Sequence, residues 1–256
     1  MRFLLGLVAL TTLAITASPA EAAKKQKATP AKAAATVEQR TPAPPITDKE
    51  NLVYLDLSTG GRVTIRLYPN VAPKMVERFK TLTRQHFYDG LKFHRVIEGF
   101  MAQTGDPKGD GTGGSTLPDL PAEFNWMPHV RGAVSAAREG AAPDASAEDK
   151  TKAENSANSQ FFIVLAPKLG LDKKYTVFGR VISGMEYVDA VARGEPPANP
   201  SRILHAYIVA DNPPAYTPPP MAPALPPLTE APQVPAIGVA PPAKPVARKP
   251  VAPRKK

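Results

Sequence analysis

The sequence contains no cysteine. This absence excludes a disulfide framework, a thiol nucleophile and lipid attachment through cysteine, and such a chain is compatible with an oxidising compartment. Aromatic residues make up only 7% of the 256 residues, and no long apolar run follows the first 20 residues. We therefore expect one modest hydrophobic core and no later membrane-spanning segment.

The part of the chain that can fold carries no net charge. Residues 50–211 contain 19 basic and 19 acidic side chains, whereas residues 23–49 and 212–256 contribute +4 and +5 to the total of +9. The sequence pI near 9.7 therefore reflects the two flanks. Without a net basic field on the domain, we predict that nucleic acid is not a partner.

Composition divides the chain into four parts. Residues 1–22 have a positive charge, an apolar run and the A-x-A site Ala20-Glu21-Ala22, which is typical of a signal peptide. An uncleaved membrane anchor is the alternative. Residues 23–49 form an Ala/Lys/Pro-rich linker, and residues 212–256, with 15 of the 31 prolines, form a basic tail. We predict that both flanks are disordered around a single folded domain at 50–211. The protein is expected to be exported, most simply to the periplasm, with secretion or membrane association as alternatives.

Within the domain, short alternating segments predict seven or eight strands. They lie at 52–57, 63–68, 93–97, 100–104, 132–136, 160–165, 175–182 and 203–209. Apolar residues at helical spacing predict one helix that has Pro73 in its first turn and stops at Tyr88-Asp89-Gly90, and a second that begins at Met185 and ends near Gly194. These elements indicate a mainly β protein, a closed antiparallel β-barrel with two helices over its ends. The Ala-rich acidic segment 138–158 is predicted to be a mobile flap.

Several familiar motifs are either absent or lack the sequence context that their function requires. Residues 109–114 match G-x-G-x-x-G, but the prolines that follow cannot open the helix that a dinucleotide site needs. No G-x-S-x-G is present, and the four histidines lack metal-ligand spacing. We therefore expect neither a metal nor a cofactor.

The densest mixture of polar and apolar residues lies between Phe93 and Pro107, where Arg95 and Gln103 stand among large apolar side chains. Taken alone, Arg95 could be a surface residue of an amphipathic strand or a charge placed for function. A second mixture of amide and aromatic residues follows at 158–163.

These segments resemble the cyclophilin-type peptidyl-prolyl cis-trans isomerases. Residues 93–114 are similar to the family signature, and Ser159-Gln160-Phe161-Phe162-Ile163 and Val177-Phe178-Gly179 resemble its later blocks in the same order. Residues 72–79 resemble its first helix. The resemblance covers about 51–210, and it implies an eight-stranded antiparallel barrel capped by two helices.

The resemblance also implies roles for individual residues. Arg95 would donate toward the prolyl nitrogen, and Gln103 would hold the substrate carbonyl. Phe100 and Phe162 could instead be core aromatics, but the resemblance assigns them to a proline pocket. The substrate-binding residues implied in this way are Phe100, Met101, Ala137, Arg138, Gln160, Phe162, Leu171 and Tyr175.

Two positions depart from the family pattern. Gly170 stands where many relatives have Trp, so we expect cyclosporin-like inhibitors to bind poorly. Ser135-Ala136-Ala137-Arg138 replaces a more usual Ser-Met-Ala, which could alter selectivity beside the groove. Neither change affects Arg95 or Gln103.

The resemblance predicts an isomerase that acts on X-Pro bonds, and with the signal peptide it suggests exported proteins as substrates. We expect a monomer. The alternative is a cyclophilin-fold binding module that holds proline-containing segments without catalysis. The third possibility is an envelope-attached protein in which the flanks carry the function and the domain is incidental. Its basic tail would make weak contact with anionic envelope surfaces.

Overall fold

A computed structural model describes residues 42–218. The predicted signal peptide, most of the linker and most of the Pro-rich tail lie outside these residues. The described chain has eight strands, β1 Leu52–Leu57, β2 Gly61–Leu67, β3 Arg95–Ile97, β4 Met101–Thr104, β5 Ala133–Ala136, β6 Phe161–Val164, β7 Val177–Ser183 and β8 Ile203–Ile208. Three α-helices accompany them, α1 Pro73–Arg84, α2 Ala147–Glu154 and α3 Met185–Asp189.

The strands form one antiparallel sheet in the order β3-β4-β6-β5-β7-β2-β1-β8. All eight predicted strands are confirmed, but the prediction of a closed barrel was overstated. The edge strands β3 and β8 do not form a ladder with each other in the described structure. Separate hydrogen bonds join the sheet edges instead, such as Phe93 N to Ser201 O (2.9 Å) and Ile203 N to Leu91 O (2.9 Å). The fold is therefore an incomplete barrel.

The hydrophobic core lies inside this barrel and is covered by α1. Strand β2 alternates strictly between buried and half-buried residues, as a strand with one face on a core should. Met75, Phe79 and Leu82 recur at helical spacing and are buried in the same cluster. The first residues of α1 have no side-chain cap of their own. The Glu123 carboxylate instead accepts hydrogen bonds from Lys74 N (3.0 Å) and Met75 N (2.9 Å), which satisfies two free donors at the helix start.

The segment 138–158 differs from its prediction because it contains α2. Ser146 accepts a hydrogen bond from Asp149 N (3.0 Å) and donates one to the Asp149 carboxylate (2.7 Å). This N-cap supports a short helix of which only Ala153 is buried. The described domain therefore has three α-helices rather than two. No helix within residues 42–218 is both long enough and apolar enough to cross a bilayer.

Candidate active site

Neighbouring residues of the short central strands point to two different apolar clusters. Phe161 and Ile163 of β6 belong to the main core, whereas Phe162 and Val164 belong to a second cluster. This alternation follows from the two-residue period of a strand. The second cluster packs on the outer face of the sheet, and its further members are Met101, Ala133, Ala137 and Val177, with Ile97, Phe100, Met127, Leu171 and Tyr175 at its margin.

Strand register brings the predicted polar residues to this same outer face. Arg95 of β3 is paired with Gln103 of β4, and Gln103 is paired with Phe162 of β6. Phe162 is in turn paired with Ser135 of β5. Directly paired residues of antiparallel strands project on the same side. Arg95, Gln103, Phe162 and Ser135 therefore form one row across four strands.

Gln103 belongs to an amide network at the end of β4. Its Nε2 donates to Gln160 Oε1 (2.9 Å), and Gln160 Nε2 donates to Gly111 O (2.9 Å) and Gly113 O (2.8 Å). Because a side-chain amide has two N–H donors, Gln103 keeps one for another acceptor. The network joins β4 to the loop that carries the Gly-rich motif.

Asp106 holds that Gly-rich loop in place. Its buried carboxylate accepts hydrogen bonds from the backbone N–H of Lys108 (2.8 Å), Asp110 (3.1 Å) and Gly111 (2.6 Å). Burial opposes ionisation, but these backbone donors outweigh it and lower the pKa of Asp106. Residues 115–132, directly after this motif, contain no helix. The loop therefore does not have the geometry of a dinucleotide site.

Arg95 lies at the edge of the groove and is not buried. Its side chain is 44% exposed, and its Nε donates to Glu195 Oε2 at 2.7 Å. Arg95, Gln103 and Arg138 line a depression of about 490 Å³ together with His94 and Glu195. Arg95 therefore lies at the surface, as one of the two interpretations of its sequence context proposed, and its guanidinium also faces a concave region.

The apolar residues predicted for substrate binding surround Phe162. Its ring packs edge-on against Tyr175, with centroids 5.8 Å apart, and lies in one cluster with Met101. Phe100 and Leu171 pack at the margin of the cluster. Neither Phe100 nor Phe162 belongs to the main core cluster; Phe162 is buried in the second cluster, and Phe100 is partly buried against it.

Ala137 and Arg138 complete the group on the opposite side of Gln160. Ala137 N donates to Gln160 O (2.9 Å), and the Arg138 guanidinium stacks over the Tyr175 ring at 4.6 Å. A second depression of about 500 Å³ is lined by Gln103, Ala137, Arg138 and Gln160, among others. The structure thus brings all ten residues predicted for the site into one continuous region.

Sequence reasoning missed a buried polar network behind the pocket. His129 Nδ1 lies 2.9 Å from Asp172 Oδ1, and His129 Nε2 lies 2.9 Å from Ser135 Oγ. The imidazole stacks beside Phe162, with centroids 6.1 Å apart and planes 19° apart. The order of residues is that of a hydrolase triad. Ser135 is completely buried, however, so its hydroxyl cannot reach an external carbonyl.

Burial lowers the pKa of His129, although the hydrogen bond and the charge of Asp172 oppose this effect. A neutral ring can donate from one nitrogen to Asp172 and accept at the other from Ser135. The network therefore fixes the ring behind Phe162. No sequence pattern predicted this network, because Asp172 lies 43 residues from His129 and no motif connects the two.

His94 is a second buried histidine beside the site. It is 5% exposed, and its ring nitrogens lie near the Gln160 side chain without a well-formed hydrogen bond among the described residues. Burial lowers its pKa, with Asp106 and Asp110 acting in the opposite direction. Among residues 42–218, no group of three or more His, Asp or Glu side chains could hold a metal ion.

Comparison with known proteins identifies the family. Residues 54–208 match the family described as "Cyclophilin type peptidyl-prolyl cis-trans isomerase/CLD". A probable peptidyl-prolyl cis-trans isomerase of Brucella suis is 45% identical over 180 residues, which cover 64% of this chain and 85% of the relative. Peptidyl-prolyl cis-trans isomerase B of Bacillus subtilis is 39% identical over 144 residues, covering 56% of this chain and 91% of that protein.

Solved structures agree with this family. A cyclophilin from Hirschia baltica aligns with a TM-score of 0.56 and 28% identity over 64% of this chain and 76% of its own. A cyclophilin-type isomerase from Cryptosporidium parvum, crystallised in the presence of the dipeptide Ala-Pro, aligns with a TM-score of 0.53 and 26% identity over 61% and 98%. The chain therefore belongs to the cyclophilin-type peptidyl-prolyl cis-trans isomerases.

Proposed function

We propose that this isomerase accelerates rotation about X-Pro bonds in exported proteins, with Arg95 and Gln103 as its catalytic residues. The observation that carries the proposal is the row of Arg95, Gln103 and Phe162 on the outer face of three adjacent strands. The proposal is supported by the closeness of a permanent cation and an amide donor in this row to the apolar cluster around Phe162.

The reaction requires little chemistry beyond this arrangement. Rotation about a peptide bond has a barrier of ~18–20 kcal/mol because the C–N bond is partly double. In X-Pro bonds the two isomers differ by only about 1 kcal/mol, so a catalyst need only stabilise the twisted state. In that state the prolyl nitrogen loses conjugation and becomes a better hydrogen-bond acceptor.

Arg95 is suited to stabilise this nitrogen because its guanidinium is always charged and carries several donors. The free N–H of Gln103 can hold the substrate carbonyl, which fixes one side of the rotating bond. The proline ring would occupy the pocket around Phe162, where Phe100, Met101 and Leu171 supply apolar walls. Ala137, Gln160, Arg138 and Tyr175 would contact the flanking peptide.

Export rests on the predicted signal peptide, and the folding of envelope proteins follows as the proposed role. The Cryptosporidium parvum relative was crystallised in the presence of Ala-Pro, which supports proline-containing polypeptides as substrates here. We propose a monomer whose basic tail makes at most weak contact with anionic surfaces.

The test is the isomerisation of a short Ala-Pro peptide by the full chain and by Arg95→Ala. Removing one preorganised donor should lower the rate by about 100-fold. Arg202→Ala is the control, because Arg202 contacts Gly90 O and not the groove. A wild type that binds the peptide without accelerating isomerisation would contradict the proposal and identify a binding module.

A further inference from the structure

The segment after α3 meets β3 at one isolated β-bridge. Val96 and Gly194 form an antiparallel bridge in which Val96 N donates to Gly194 O (2.8 Å) and Gly194 N donates to Val96 O (2.9 Å). Arg193 Nε also donates to Glu98 Oε2 (2.5 Å). Two independent contacts thus fix this segment along the free edge of β3.

The bridge determines which side chains meet. In an antiparallel pair, the residue before Val96 lies opposite the residue after Gly194. These residues are Arg95 and Glu195, and their side chains form the 2.7 Å contact between Nε and Oε2. On its other side, Arg95 is paired with Gln103. Glu195 therefore extends the row of site residues by one position.

The backbone at Gly194 suits this placement. Its φ of +142° lies in a region that other residues rarely adopt, and an added Cβ would lie 2.7 Å from Pro197 Cα. A side chain at position 194 would force this tightly folded segment away from its present path. The conformation of Gly194 therefore fixes the direction in which the chain continues at Glu195.

We propose that Glu195 is a positioning residue for Arg95. Its carboxylate binds the Nε edge of the guanidinium and leaves both Nη groups for the substrate, since neither Nη donates to another group in the described part of the protein. An arginine side chain loses much rotamer freedom when it is fixed in one geometry. Holding one edge before the substrate arrives reduces this loss at the transition state. The inference rests on the proposed role of Arg95.

The same contact should contribute little to folding. The side chains of Arg95 and Glu195 are 44% and 50% exposed, and exposed ion pairs are weak because water and salt screen them. A substitution at Glu195 can therefore separate positioning from stability. A merely structural residue would lower the melting temperature and the rate together.

The experiment measures kcat, KM and melting temperature for the full chain and for Glu195→Ala, with an Ala-Pro peptide as substrate. We expect kcat to fall about tenfold, KM to change by less than about twofold, and the melting temperature to stay within about 2 °C. Glu195→Gln should recover most of the rate because its amide oxygen can still accept the Nε–H. Asp211→Ala, which removes a similarly exposed ion pair with Arg84 away from the site, is the matched control and should behave as wild type.

The same substitution in an Arg95→Ala chain tests whether Glu195 acts through Arg95. Glu195→Ala should have no further effect in an Arg95→Ala chain, because the group that it positions is gone. An unchanged kcat in Glu195→Ala, a Gln variant as slow as the Ala variant, or an equal loss in the Arg95→Ala background would each overturn the inference. An inactive wild type would overturn the proposed function as well, whereas an active wild type with a slow Arg95→Ala variant would leave it intact.

Discussion

The two faces of strand β6 belong to different apolar clusters. Phe161 and Ile163 point into the barrel and are completely buried in the main core, whereas Phe162 and Val164 point outward into the second cluster. The inner ring of Phe161 contacts Phe79 and Tyr88 at centroid distances of 5.1 and 5.6 Å. The outer face is less continuous, because polar residues interrupt it and two depressions open beside it. A four-residue strand thus supplies the main core on one face and the proposed site on the other.

Substituting the two adjacent phenylalanines gives the largest expected contrast. Phe161→Ala should lower the free energy of unfolding by about 3–5 kcal/mol, because it leaves a cavity in a closely packed core. Phe162→Ala should lower it by less, about 3 kcal/mol, because Phe162 is also buried but packs in the smaller second cluster. The Ala-Pro isomerisation rate should show the reverse order, with a loss of about tenfold or more for Phe162→Ala alone. Denaturant unfolding and the peptide assay measure the two quantities. Equal stability losses together with equal rate losses in the two variants would contradict the assignment of Phe161 to the core and Phe162 to the proposed site.

A smaller effect should come from the histidines buried beside the outer face. Burial lowers the folded-state pKa of His94 and His129 below the ordinary value of 6.5. The unfolded chain therefore binds more protons just below pH 6.5, and stability must fall as the pH drops through this value. At higher pH both rings are neutral in either state, and the contribution is complete.

The measurement is the free energy of unfolding between about pH 7.5 and pH 5, for wild type and His129→Asn. The variant should lose part of the slope of stability against pH. His205→Asn is the control, because the His205 side chain is 57% exposed. A slope that survives in His129→Asn but disappears in His205→Asn would contradict the assignment.

The smallest effect should come from introducing tryptophan at Gly170, where many relatives carry that residue. A Cβ at this position would meet no atom within 4 Å, so a larger side chain can be accommodated. Gly170→Trp should therefore leave the melting temperature nearly unchanged. It should strengthen the binding of a cyclosporin-like inhibitor by about tenfold, as expected for one added aromatic contact in a concave site. Calorimetric titration of both proteins measures this change, and an unaltered affinity would show that the missing tryptophan is not what weakens binding.

The sequence carried enough information for the strands, because alternation is local, and the family motifs selected ten residues that the structure groups in one region. It was less informative about α2. Ser146 and Asp149 form a capping pair that is visible in the sequence, but the helix buries only Ala153 and has almost no apolar face. A pattern of apolar spacing therefore could not reveal it.

The remaining misses depend on tertiary structure. Glu195 is 100 residues from Arg95 and meets it only through the Val96–Gly194 bridge. Asp172 reaches His129 from a loop 43 residues away. The incomplete closure of the barrel likewise depends on how two distant edges meet. Neither propensity nor hydrophobic period encodes such contacts.

The most direct test of the central claim is the rate of cis-trans exchange of a proline-containing peptide at equilibrium, measured by NMR magnetisation transfer. The full chain and Arg95→Lys should be compared at peptide concentrations that saturate both. Lysine keeps the charge but lacks the planar fork of donors. We predict similar peptide affinity, rapid exchange in wild type and exchange slower by about tenfold or more in Arg95→Lys. Equal exchange rates in the two proteins, or no acceleration by wild type over buffer, would contradict the account.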